Sequence, residues 1–231
     1  MNDQARTILC GVDGSEQSVR AAKVAHTLSK ALDADLVLAH VSPGGLRPLP
    51  VAAASDLELD GDLAVIADTA GRAGLTGVRT RRVVAASPTS GLVATARVEL
   101  PYLIMIGASG HSALREALLG SVAGELPLQA PCPVVVTPPD VVMPDGMSLA
   151  DDNSIVCGVA DSAETEAVAR TAGELAWALG ARLVLVHARL PQPLVGSAAM
   201  GRHSLAIADH ALAEQEERIS VEVLGLSLIH I

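Results

Sequence analysis

The sequence predicts an α/β fold: a doubly wound, five-stranded, mostly parallel sheet in the order 3-2-1-4-5, helices on both faces, followed by an incomplete second copy. Three observations lead there. Short apolar runs alternate with segments of helical spacing from Thr7 to Thr137, which is the pattern of a parallel sheet built from crossover units. Half of the residues are apolar, yet there is no Phe and there is one Tyr and one Trp, so the core is Val, Leu, Ile and Ala. Such runs suit strands covered on both faces by Ala-rich helices. Finally, the opening of the chain recurs at a constant offset of 147 residues.

Each element has its own reason. Thr7 to Val12 is a short apolar run, the first strand, ending at Asp13-Gly14-Ser15, where Ser15 suits a helix N-cap. Val19, Ala22, Ala25, Leu28 and Leu32 then recur at helical spacing. Asp33 to Asp35 breaks that pattern, and Leu36 to Val41 reads as the second strand. Ser42 to Pro50 is a Pro/Gly-rich loop, long for this kind of domain. A helix from about Asp56 to Arg72 leaves through Gly74 and Gly77. Val78 to Ala85 is the third strand; its Arg79, Arg81 and Arg82 read as an ordinary solvated edge. Ser87-Pro88 starts the next helix, to about Glu99. Tyr102 to Ile106 is the fourth strand, Val122 to Gln129 a short helix, and Val134 to Thr137 the fifth strand.

The fourth strand stops at Gly107. Gly110 follows, then Gly120 and Ser121 open the short helix, giving G-x2-G-x9-G-S. Glycines at a strand end let backbone approach a ligand, and amides at a helix N-terminus suit phosphate oxygens. A plain surface loop is the alternative. The spacing is neither the Walker loop nor the dinucleotide fingerprint. In the predicted strand order the first and fourth strands are neighbours where the order reverses, the place where ligands bind in such sheets. Asp13 and Gly107 would then face one crevice. Asp13 also fits a simple turn or cap role, and His111 fits either phosphate contact or solvent.

A net charge of −10 argues against a general nucleic-acid or anionic-membrane surface. Cys10, Cys132 and Cys157 form no C-x-x-C and read as small buried hydrophobes in a reducing compartment. No signal-peptide pattern opens the chain and no apolar run reaches the length of a membrane span. The expectation is a cytoplasmic protein. His40 and His187 sit in apolar runs and read as core or supporting residues, with no metal-ligand spacing nearby.

The repeat is partial. Ile155 to Val159 matches Ile8 to Val12, and Leu183 to His187 matches Leu36 to His40. Ala160 stands where Asp13 would be, with Asp161 beside it. A helix near Ser204 to Arg218 and a strand Ile219 to Leu224 follow, and no second glycine loop appears. The expected domains are 1–139, a linker 140–152, a truncated copy 153–225, and a non-native tail 226–231.

G-x2-G-x9-G-S, with V-D-G-S after the first strand and H-V-S-P after the second, resembles the ATP-binding branch of the universal stress protein family. The resemblance covers the whole first domain and the first strands of the second. It implies ATP in the first domain. Asp13 would lie on adenine or ribose, Val41 would meet adenine through its backbone, and Ile106 and Gly107 would line the ribose. Gly110, His111, Gly120, Ser121 and Val122 would hold the phosphates, with Mg2+ or Mn2+ bridging them. It further implies a homodimer through the fifth strand, Val134 to Thr137. Ser109 stands where some ATP-binding members carry a basic residue. The leading function is a regulatory ATP binder, at most a weak ATPase, because the loop offers amides, Ser121 and Arg115 but no convincing base. The alternatives are a scaffold with an empty site and an ATP pyrophosphatase or nucleotidyl transferase. The latter class wants a Ser-Gly-Gly-x-Asp-Ser type loop where this chain has V-D-G-S.

Overall fold

The structure, a computed structural model, describes residues 6–44, 56–109, 119–139, 154–160, 162–189 and 221–227. The chain divides into two compact units, Met1–Asp145 and Gly146–Ile231.

The first unit runs β1 (Arg6–Gly11), α1 (Glu16–Ala31), β2 (Ala34–Pro43), α2 (Asp56–Ala73), β3 (Arg79–Ala85), α3 (Pro88–Glu99), β4 (Leu103–Gly107), α4 (Ser121–Gln129) and β5 (Val134–Thr137). Its sheet is parallel throughout, in the expected order β3-β2-β1-β4-β5. Ile8 pairs with Leu36 on one side and Leu103 on the other, so β1 is central. Burial follows: Ile8, Leu9, Leu103, Ile104 and Met105 have no solvent exposure. α1 packs with α2 and α3 with α4. Leu9, Ala39, Ile104 and Ile106 share one cluster with Leu92 of α3 and Leu126 of α4.

Local chemistry sets the boundaries. Ser15 caps α1 by accepting the Ser18 N–H at 3.2 Å. Ser87 and Ser90 cap α3 reciprocally with Pro88 in its first turn. β2 is longer than expected. Asp33 adopts φ +50, which turns the chain in a single residue, so the strand starts at Ala34 rather than Leu36. At its other end Pro43 still pairs with Ala85, taking up the start of the expected loop.

β3 is an edge strand, as its charge suggested, but its arginines are not simply solvated. Arg79 pairs with Asp35 at 3.5 Å and Arg81 with Glu99 at 2.7 Å. Arg82 points back over β2, where its Nε donates to Asp62 Oδ2 at 2.5 Å. The Ser42 hydroxyl donates to the same oxygen. One carboxylate thereby fastens α2 to β2 and β3. Burial opposes ionisation of Asp62, but the Ser42 and Arg82 contacts outweigh it and hold its carboxyl below the ordinary 3.8.

The second unit contains β6 (Ser154–Val159), α5 (Thr165–Leu179), β7 (Arg182–Arg189) and β8 (Val221–Ser227), with parallel strands in the order β6-β7-β8. The expected linker and the helix expected over 204–218 lie outside the described residues. The expected tail is partly structured: Leu226 and Ser227 continue β8, opposite Ala188 and Arg189. The pairing that begins at Val221 opposite Leu183 runs on unbroken to them, and β7 is long enough to receive it.

Two tests follow from this packing. A Cβ on Gly107 would lie 2.9 Å from Gln17 Cβ and 3.1 Å from Gln17 backbone, whereas one on Gly61 within α2 meets nothing within 4 Å. Gly107→Ala should therefore lose about 1–3 kcal/mol in urea unfolding, while Gly61→Ala should gain about 0.5–1 kcal/mol. Asp62 has a lowered folded pKa, so its contribution is complete above 3.8 and is lost as pH falls through the folded value. Asp62→Asn should be less stable at neutral pH, and its unfolding midpoint should fall less steeply on acidification than that of the wild type.

Candidate functional site

The end of β1 turns through Asp13 and Gly14 into α1. Gly14 has φ +83, a conformation that favours glycine. Asp13 Oδ1 accepts the Ser15 N–H at 3.0 Å and the Ser15 hydroxyl at 2.6 Å. Asp13 thus fills the turn role and, in addition, lines a cavity of about 290 Å³ above the sheet. Gly107, from the end of the adjacent β4, lines the same cavity. Its lack of a side chain is required by α1, whose Gln17 lies against it. That reason differs from the ligand approach expected from sequence.

After β4 the chain is pinned at both ends of its loop. The Ala108 N–H donates to Thr137 O at 2.9 Å, and the Gly120 N–H donates to Ala108 O at 2.8 Å. α4 then starts at Ser121, with the Gly124 N–H bonded to Gly120 O. A helix start leaves its first amides without helical acceptors. Its N-cap is Gly120, and among the described residues no side chain caps it. The starts of α1 and α3 are capped by Ser15 and Ser87. Ser121, Val122 and Ala123 all line the cavity, so the uncapped turn opens on it. Aligned peptide dipoles make such a turn locally positive without any cationic side chain.

Much of the lining is apolar: Ala39 and Val41 of β2, Pro88 and Leu92 of α3, and Ile106 of β4. Val41 presses its side chain against Gly91, where an added Cβ would lie 2.6 Å from Cγ1. No Lys or Arg lines the cavity among the described residues. No three His, Cys, Asp or Glu cluster to hold a metal ion among them. The arrangement offers an apolar slot, one carboxylate and an amide-lined positive end.

Of the expected site residues, Asp13, Val41, Ile106, Gly107, Gly120, Ser121 and Val122 border this one cavity. Gly110 and His111 lie outside the described residues. Sequence reasoning missed Ser18, His40, Pro88 and Leu92. The Ser87-Pro88 helix start carried a usable signal, because in this topology it must sit at the same end of the sheet. His40 was visible as a recurring histidine, but nothing in its spacing showed that it reaches the cavity.

Comparison with known proteins supplies the remaining step. The universal stress protein family model matches residues 4–138. A universal stress protein from Archaeoglobus fulgidus is 18% identical, with a TM-score of 0.64, covering 98% of this chain and 80% of its own; this is a likeness of fold. Universal stress protein UspA from Lactobacillus plantarum is 22% identical with a TM-score of 0.43, covering 58% of this chain and 99% of its own. A universal stress protein solved in complex with cAMP is 27% identical with a TM-score of 0.46, covering 57% of this chain and 96% of its own. No curated protein matches the chain. No helix among the described residues is long and apolar enough to cross a membrane. With more than half of its 231 residues matched by the family model, the chain belongs to the universal stress protein family.

Proposed function

We propose that the first unit binds ATP in this cavity and serves as a nucleotide-dependent regulatory module of the stress response, with slow hydrolysis or none. The observation that carries this reading is the uncapped start of α4 opening on the same cavity as Asp13. Adenine would occupy the apolar slot beside Val41, Pro88 and Leu92. The ribose would lie between Asp13 and Ile106-Gly107. The phosphates would meet the amides of Ser121 and Val122, with Gly110 and His111 completing the loop. Mg2+ or Mn2+ would be carried on the phosphate oxygens, where it offsets their charge, since the lining residues offer no cage for it.

Slow turnover follows from what lines the site. Fast phosphoryl transfer needs a positioned acceptor and a cation at the γ-phosphate. Asp13 Oδ1 is engaged by Ser15, and Ser109 stands where a basic residue would help. The second reading, an interaction scaffold with an empty site, is favoured by the modest cavity volume, about 290 Å³. That is the low end for small-molecule pockets.

The same reading makes the second unit a truncated copy of the first. Ile8 pairs with Leu36 and Ile155 with Leu183, a register preserved under the 147-residue offset. Ala160 in place of Asp13 leaves that copy without the carboxylate. The reading also includes a cytoplasmic location. Cys10, Cys132 and Cys157 are free thiols, and burial pushes the Cys10 thiol up to about 12. Such a thiol is inert. Finally, it includes a homodimer through β5, which is an edge of its sheet with Val134, Val135 and Val136 half-buried.

Native mass spectrometry should find ATP on the purified protein, and calorimetry should show Asp13→Ala weakening it about tenfold or more. Adenosine should bind more weakly than ATP; equal affinities would remove the phosphates from α4. No nucleotide binding at all would leave the scaffold. Sedimentation should give a dimer mass that Val135→Lys converts to monomer.

A further inference from the structure

The turn that carries Asp13 is braced by side chains from β2 and α2. His40 Nδ1 lies 2.8 Å from Val12 O. A carbonyl only accepts, so Nδ1 holds the proton of that bond. Nε2 faces Asp62 Oδ1 at 3.7 Å. Both ring nitrogens are therefore directed at protein groups, in a residue that borders the cavity. Asp62 is itself fixed by Ser42 and Arg82. From the other side Arg72 Nη1 donates to Gly14 O at 2.9 Å while pairing with Asp68 and Glu16.

Val12 and Gly14 flank Asp13, so both carbonyls next to the carboxylate are tied to side chains. His40 belongs to β2, and its partner Asp62 and the second donor Arg72 both belong to α2. The two ties are unequal. The His40 and Asp62 side chains are 15% and 17% exposed, against 34% for Arg72 and 74% for Glu16. The Arg72 contact is screened by water and salt; the His40 contact is sheltered.

We infer that His40 is a positioning residue of the nucleotide site: its Nδ1–H holds the Val12 carbonyl and thereby presents Asp13 to the ligand. This deepens the nucleotide-binding reading and rests on it. His40 orders the peptide that carries the contacting carboxylate before any ligand arrives. Loss of that order is charged against affinity, because the turn must then be fixed on binding.

Asn places its amide nitrogen near the Nδ1 position of histidine, whereas Gln places it near Nε2. His40→Asn and His40→Gln therefore separate the brace from simple polarity and volume. Two readouts are taken: the ATP dissociation constant, and amide hydrogen exchange at Asp13, Gly14 and Ser15 without nucleotide. Asn should hold both within about threefold of wild type, while Gln should raise both about tenfold. Exchange in β4 should stay unchanged in each variant. Equal behaviour of Asn and Gln, or turn exchange unchanged in Gln, would overturn the inference. If wild type binds no nucleotide, the functional reading fails, and the exchange data still decide whether His40 braces the turn. Arg72→Ala serves as the exposed comparison, with a smaller effect that fades as salt rises.

Discussion

The site depends on one constraint: the reversal of strand order between β1 and β4. The chain leaves β1 toward β2 and later returns to β4 on the other side. With crossovers of one hand, those two routes put α1 and α4 on opposite faces of the sheet. A crevice opens between the loops that leave the two strands. Asp13 and Gly107 are far apart in sequence yet border the same cavity for this reason. The buried pairs Ile8–Leu103 and Cys10–Met105 hold the two strand ends side by side. The crevice is thus a consequence of the core, not of the loops that decorate it.

Much of this was legible because it rests on periodicity and topology. Alternating apolar runs fix element type, and the strand order fixes which ends share a crevice. The ends of β2 were less legible because Asp33 ends a helix with a positive φ, which no apolar pattern encodes. Gly107 shows a subtler limit. Its position pointed to the site, but its reason is the backbone of α1 pressed against it. Strand-end glycines satisfy both needs, and sequence alone does not separate them. The Asp62 cluster was invisible for a different reason. Ser42, Asp62 and Arg82 come from three elements, and only the packing of α2 over β2 and β3 brings them together.

The second unit shows which part of the pattern is scaffold and which is chemistry. β6 and β7 pair in parallel as β1 and β2 do, and Leu183 and Leu185 are buried like Leu36 and Leu38. The turn after β6 is different. α5 has no side-chain cap at its start, and the Thr165 hydroxyl donates to the Ala160 carbonyl. In the first unit a serine and an aspartate do this work. The two units share a sheet pairing and differ in turn chemistry, since pairing needs only apolar residues of the right period, while the turn needs particular side chains.

The two charge devices around the first-unit cavity divide their labour. His40 and Arg72 hold the carbonyls on either side of Asp13, and backbone amides at the start of α4 provide the positive end. An amide array attracts phosphate without a mobile side chain and without a proton to give or take. A lysine or arginine there would attract the ligand and also stabilise charge moving toward the leaving oxygen. The described lining lacks one. In the proposed reading, amides fixed in this way would favour the bound ground state about as much as any transition state, and uniform binding of that kind would hold a nucleotide without accelerating its cleavage.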